Sequence, residues 1–289
     1  MRDLEKKKKK KKEKNKKKDV RSARQVHIFH VLSVSDMFSI LNALLGFFAI
    51  LTVAAYGSDT MHSLKTAPLL ILLAAAADGF DGIIARRVRR GPLGIYIDSL
   101  ADMISFGVAT AIISFLHLVT LSEASGCASA ESDLLYAVVS CVYVISGMLR
   151  LARFMSAYSA EDDRSAANFF IGFPITGSAI ILSSLIFLSQ LMKPLHHFIL
   201  FLSFMCVLSI MMCSRVKYRK IGGRMVIPSV AVGVVVLFIS CSYSLSLTYP
   251  ALVVFIISSA YLCSPFMRIS IHRRQQAGAP IFNSDNGEK

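Results

Sequence analysis

Four aspartates punctuate one short stretch of an otherwise apolar sequence. DGFDGIIARRVRRGPLGIYIDSLAD, residues 78–102, carries Asp78, Asp81, Asp98 and Asp102 within the ends of two successive apolar runs. A carboxylate at the centre of a bilayer-spanning helix costs about 2.5–3.5 kcal/mol on insertion scales, so four together require a compensating partner, most simply cations. Carboxylate oxygens are hard ligands that suit Mg²⁺ or Mn²⁺. Four of them suit two such ions about 3.5–4 Å apart, the arrangement that clamps phosphoryl oxygens. The stretch holds no thiol or imidazole that would favour zinc.

Two helices must bring these side chains together. One apolar run ends at Arg86 and the next starts near Gly94, after RRVRRGP, whose Gly91 and Pro92 suit a tight reversal. The helices therefore run antiparallel. At about 1.5 Å per residue, Asp81 and Asp78 lie roughly 7 and 12 Å inward from Arg86, and Asp98 and Asp102 roughly 6 and 12 Å inward from Gly94. Spacings of i, i+3 and i, i+4 put each pair on one helix face, so one cavity can receive all four carboxylates. Gly79, Gly82, Ala85 and Gly94 leave room for a planar base or a pyrophosphate to approach the backbone, and Arg86 can pair with phosphate. Taken singly, each glycine also fits ordinary packing of membrane helices.

The rest of the chain says what those helices cross. With 289 residues, 54% of them apolar, and a mean hydropathy of +0.58, the sequence is too apolar for a soluble protein and long enough for several bilayer spans. Apolar runs near 36–56, 67–86, 94–120, 134–155, 170–191, 196–214, 226–246 and 249–266 predict an all-α integral membrane protein of about eight transmembrane helices. Lys and Arg gather in alternate connections: the N-terminal arm, the 86–93 turn, the region of Arg150, Arg153 and Arg164, the 215–224 loop and the tail from Arg268 to Arg274. The positive-inside rule makes that side cytosolic. The expectation is a multi-pass protein of the cell membrane, with both termini and the aspartates on the cytosolic side.

Residues 1–19 carry 11 Lys and 1 Arg against 2 Asp and 2 Glu, more than half of the chain's net charge of +14. Such a block reads as a disordered cytosolic arm that helps fix topology or is drawn to anionic headgroups. With no aromatic residue in the lysine run and no nucleic-acid module after it, nucleic acid is not an expected partner. Residues 20–35 mix Val26, Ile28, Phe29, Val31 and Leu32 with Arg and His, as in an N-terminal interfacial helix or a short linker. The predicted layout is the arm over 1–19, a juxtamembrane amphipathic segment over 20–35, a transmembrane domain over 36–268 and a cytosolic tail over 269–289. His196 and His197 fall on the side opposite the aspartates and read as interfacial. The six cysteines lack zinc spacing and read as small apolar residues.

Asp78, Asp81, Gly82, Ala85, Arg86, Gly94, Asp98 and Asp102 resemble the D-x-x-D-G-x-x-A-R…G-x-x-x-D-x-x-x-D signature of the CDP-alcohol phosphatidyltransferases. Seven residues separate Arg86 from Gly94, where that family usually has eight or nine. The resemblance implies the CDP-alcohol phosphatidyltransferase fold, a homodimer, and two divalent ions (Mg²⁺ or Mn²⁺) on Asp78, Asp81, Asp98 and Asp102. It further implies that Gly82, Ala85, Arg86 and Gly94 bind the donor nucleotide, and that Asp102 is the catalytic general base. DSLADMISFG (Asp98–Gly107), Asn42 and Gly46, LRLARF (Leu149–Phe154), FIGFP (Phe170–Pro174) and YLCSPF (Tyr261–Phe266) are similar to the branch that makes phosphatidylserine or archaetidylserine. Thr110 stands where that branch commonly has proline. The implied reaction moves a phosphatidyl-type group from CDP-diacylglycerol or CDP-archaeol to L-serine and releases CMP.

Several alternatives stay open at this level. Arg150 and Arg153, one turn apart, fit the serine carboxylate and equally the positive-inside bias. Asn42 fits a cytidine contact or an interhelical hydrogen bond. The acceptor could instead be inositol phosphate or glycerol phosphate. In a different class, a divalent-cation transporter could use the aspartates, although no inverted repeat or broken midplane helix stands out. A polybasic membrane scaffold would not need the carboxylates at all.

Overall fold

The computed structural model describes residues 34–55, 60–84, 93–159, 169–219 and 248–277. Among these, eight α-helices follow in order: α1 (Val34–Ala55), α2 (Thr60–Ile84), α3 (Gly94–Asp102), α4 (Thr110–Ala124), α5 (Ala130–Ser159), α6 (Ile175–Phe187), α7 (Pro194–Cys213) and α8 (Thr248–Ala277). A π-helical turn over Met103–Ala109 joins α3 to α4, so 94–124 is one continuous helical span. A 3₁₀ turn, Leu188–Leu191, prolongs α6. The predicted run 226–246, the arm 1–19 and residues 20–33 of the juxtamembrane segment lie outside the described residues.

Among the described residues, five helical stretches are long and apolar enough to cross a membrane: 36–55, 94–124, 130–156, 194–213 and 248–265. The 175–191 stretch is a shorter apolar helix. The chain is thus an all-α membrane protein, as its hydropathy predicts. Large apolar side chains such as Met37, Leu44 and Phe48 of α1 and Leu134, Val138 and Met148 of α5 are exposed, as lipid-facing residues would be. Inside, α1 lies along α2 and against α3 and the π turn, α5 packs on α7, and α6 packs on α8 and α2. Ala49 of α1 and Ala67, Ala74 and Ala75 of α2 are buried, and small side chains of this kind let membrane helices approach closely.

Local chemistry sets the helix ends. Ser129 and Ser132 bond reciprocally through backbone N–H and hydroxyl at 2.9 and 3.1 Å, a capping box that starts α5. Gly126, at φ +70°, ends α4: its N–H donates to the Glu123 carbonyl at 3.2 Å and that of Cys127 to Ser122 at 2.9 Å.

The helix predicted from residue 170 begins instead at Ile175. Gly172 adopts φ +83° and Pro174 is extended, which breaks the apolar run. Phe169–Ile171 forms a strand, β1, paired antiparallel with β2 (Lys217–Arg219). A Cβ on Gly172 would collide with the Met212 carbonyl oxygen, so the turn requires glycine twice over. Tyr218 of β2 is buried, donates to the Leu262 carbonyl at 3.3 Å, and has its hydroxyl pushed up to about 12 by that burial.

The expectation that both His196 and His197 are interfacial is corrected. His196 is exposed, whereas His197 is fully buried, with Nε2 3.1 Å from Nε2 of His117 on α4. Neighbours on a helix point about 100° apart, so only one of the two can face the bundle.

Candidate active site

The end of α2 and the whole of α3 meet at the aspartates. Asp78, Asp98 and Asp102 each place one carboxylate oxygen within 4.8 Å of those of the other two. Asp81 and Gly82 continue the α2 backbone, but their side-chain positions lie outside the described residues, as do Ala85 and Arg86 altogether. Gly94 is the buried first residue of α3. Leu93, which precedes it, supplies no side-chain cap.

Three further side chains enclose the cluster. Asn42, fully buried on α1, donates from Nδ2 to Asp102 Oδ1 at 3.1 Å, an interhelical hydrogen bond. Asn42 Oδ1 accepts no hydrogen bond among the described residues. Thr176, two residues into α6, donates to Asp78 Oδ2 at 3.4 Å. Arg150 of α5 is buried and interacts electrostatically with Asp102, Asp78 and Asp98, while its guanidinium lies 5.9 Å from the centre of the Phe154 ring.

Arg153, at i, i+3 from Arg150, has hydrogen-bond partners at the end of α7. Its Nη1 and Nη2 donate to the Ser214 and Cys213 carbonyls at 3.1 and 3.2 Å, where they cap the end of α7. Cations at a helix C-terminus are favoured by the partial negative charge there.

Like charges gather here. Among the described residues, three carboxylates surround one guanidinium in a partly buried site, and like charges at this separation repel strongly. An all-oxygen donor set of this kind fits a hard divalent ion. Gly79, between Asp78 and Phe80, has no described atom within 4 Å of where a Cβ would stand, so the backbone next to Asp78 in the chain is bare.

Sequence reasoning missed Thr176 and Ser105. Ser105 donates to the Asn42 carbonyl at 2.7 Å, and its side chain fills the space where a Cβ on Gly46 would fall. Gly46 was visible as a small residue in α1, but its partner was not.

The profile of the CDP-alcohol phosphatidyltransferase family matches residues 32–213, which include every site residue described above. The chain is 32% identical over 190 residues to the CDP-diacylglycerol–serine O-phosphatidyltransferase of Helicobacter pylori (strain ATCC 700392 / 26695), covering 63% of this chain and 70% of that protein. It is 30% identical over 209 residues to the protein of the same name from Mycobacterium tuberculosis (strain CDC 1551 / Oshkosh), covering 70% and 68%. It is also 31% identical over 197 residues to the archaetidylserine synthase of Methanothermobacter thermautotrophicus, covering 66% and 72%. Converging carboxylates, a bundle of apolar helices and a profile match across most of that bundle lead to one assignment: the chain belongs to the CDP-alcohol phosphatidyltransferase family.

Proposed function

We propose that this protein transfers a phosphatidyl-type group from a CDP-activated lipid to the hydroxyl of L-serine and releases CMP. The meeting of Asp78, Asp98 and Asp102 beside a buried Arg150 carries the reading. Relatives named for diacylglycerol and for archaetidylserine differ in lipid but share serine, which supports serine as the acceptor and leaves CDP-diacylglycerol and CDP-archaeol as donors.

Asp78, Asp81, Asp98 and Asp102 would hold two Mg²⁺ or Mn²⁺ ions. Bound there, such ions neutralise pyrophosphate charge and polarise phosphoryl oxygens. Asp102 receives the proton of the serine hydroxyl as its oxygen attacks the lipid-bearing phosphorus. The bond from that phosphorus to the bridging oxygen breaks, and CMP leaves with the electron pair. The Asn42 amide occupies Asp102 Oδ1, which turns Oδ2 toward the proton. Gly82, Ala85, Arg86 and Gly94 take the nucleotide and its phosphates. The uncapped first turn of α3 offers backbone N–H groups to them. Asn42 Oδ1 can accept from the cytosine amino group.

Arg150 receives the serine carboxylate. The carbonyls on Arg153 support a positioning role for that residue instead. In the wider reading the protein is a homodimer that crosses the cell membrane several times, with both termini and this site on the cytosolic side. The arm over 1–19 and the tail over 269–289 flank a catalytic domain spanning 36–268.

Purified protein with Mn²⁺ and CDP-lipid should release CMP when L-serine is added, and not with inositol phosphate or glycerol phosphate. CMP release with a phosphorylated acceptor and none with serine would overturn the acceptor. Metal flux into proteoliposomes without CMP release would overturn the chemistry.

A further inference from the structure

The span that carries Asp98 and Asp102 is not one regular helix. Directly after Asp102, seven residues, Met103–Ala109, form a π-helical turn before the α-helix resumes at Thr110. A π turn adds a residue to the helical repeat, so everything before it is rotated by about 100° relative to everything after it. The buried anchors of α4, among them Ile113, His117 and Leu118, fix one end of this span in the bundle. The π turn then decides which way Asp98 and Asp102 face.

Side chains hold that turn from three directions. Thr110 Oγ1 donates to the carbonyl of Ser105, five residues back, at 3.1 Å. Elsewhere in this chain the hydroxyls of Thr52, Thr120 and Ser125 reach four residues back, as regular α-helix allows. The extra residue of the π turn is thus what Thr110 spans. From α5, the fully buried Tyr143 donates to the Phe106 carbonyl at 3.1 Å, and its hydroxyl lies 2.8 Å from Ser178 Oγ of α6. Ser178 Oγ also lies 2.7 Å from the Ile175 carbonyl, one residue before Thr176, the partner of Asp78. From α1, the Asn42 carbonyl receives Ser105 while the Asn42 amide holds Asp102.

We propose that Thr110 and Tyr143 are positioning residues of the transfer reaction, acting through the π-helical turn that rotates Asp98 and Asp102 toward Asp78. Neither touches the carboxylates. Thr110 fastens the turn to itself and Tyr143 fastens it to α5 and α6, so the rotation of α3 and the position of Thr176 are set by one shared network. A hydrogen bond lost inside a helix that still packs does not unfold the bundle. It lets the turn relax toward a regular repeat and swings the carboxylates off their common centre.

The inference rests on the proposed transfer, and its test separates the two. Tyr143→Phe and Thr110→Val keep shape and remove the hydroxyls, while Thr110→Ser restores one. In the full-length protein, Tyr143→Phe and Thr110→Val should lower kcat roughly 10- to 100-fold, the scale of a small misplacement of catalytic groups, with KM for serine within about twofold. Thr110→Ser should recover most of the loss. Mn²⁺ binding to the substrate-free protein should weaken several-fold in the first two variants and not in the third. Folded variants with wild-type kcat and wild-type Mn²⁺ affinity would overturn the inference, as would a loss of activity that merely tracks the fraction of folded protein. Wild-type protein that binds Mn²⁺ but transfers nothing to serine would sink the proposed reaction while the Mn²⁺ comparison still judged the positioning role.

Discussion

At one end of the 94–124 span three carboxylates converge beside one guanidinium, and nearer the other end two imidazoles, His117 and His197, meet inside the bundle. Both clusters are made of titratable groups in an apolar protein, yet their internal balance differs. The histidines pair with each other: one ring donates from Nε2 and the other accepts, with their rings edge to face and Phe201 against them, while each Nδ1 has no hydrogen-bond partner among the described residues. The aspartates cannot do this, because ionised carboxylates only accept. Asn42 and Thr176 donate to two of them, and like charges gather around one described guanidinium. Burial alone therefore does not distinguish a working site from packing. Burial of like charges with bare backbone beside them does.

The largest effect should come from breaking the acidic end. Asp102→Asn keeps the shape and the Asn42 contact yet removes the proton acceptor, and should lower CMP release by about 10²–10⁴-fold, read in single-turnover assays. Its thermal stability should stay level or rise, since a repelling charge is gone. A destabilised but active variant would make the aspartates resemble the histidines and erase the contrast.

Arg150 and Arg153 sharpen the comparison within one helix. Arg150→Ala should raise KM for serine about 10- to 100-fold, the worth of a charge-assisted hydrogen bond. Arg153→Ala should leave that KM unchanged and lower Tm through loss of the α7 cap. Equal shifts in KM for both would return Arg153 to the serine site.

The smallest effects belong to the histidines. His197→Leu leaves His117 Nε2 without its partner and should cost about 1–3 kcal/mol of stability, whereas His117→Leu with His197→Leu should cost less than either single change. CMP formation by the folded fraction should match wild type throughout. A double-mutant cycle on Tm and initial rates checks both statements.

Much of this could be read before any coordinates. The cost of Asp in an apolar helix exposed the site, and the depths of Asp78 and Asp102 on antiparallel helices anticipated their meeting. Asn42 stood out as an amide within a span. Other features left no local trace. One extra residue in the apolar run after Asp102 changes neither length nor hydropathy enough to reveal a π turn, and Thr110 showed only as a departure from its relatives. Thr176 and Ser105 owe their roles to partners in distant segments. A single histidine such as His117 carries no signal until the other half of its pair is placed. Gly172 and Pro174 did signal a break, but the apolar residues around them masked it.

Gly172 also bears on how this chain can drift. Its backbone lies in the left-handed region, and a side chain there would strike the Met212 carbonyl oxygen. A neighbour that shrank could relieve a steric conflict, but a carbonyl group cannot shrink, and no neighbour changes the handedness penalty. Position 172 is closed to gradual exchange by two locks that no single compensating substitution opens. Divergence around the ribbon must proceed by moving the strands together with their glycine or not at all.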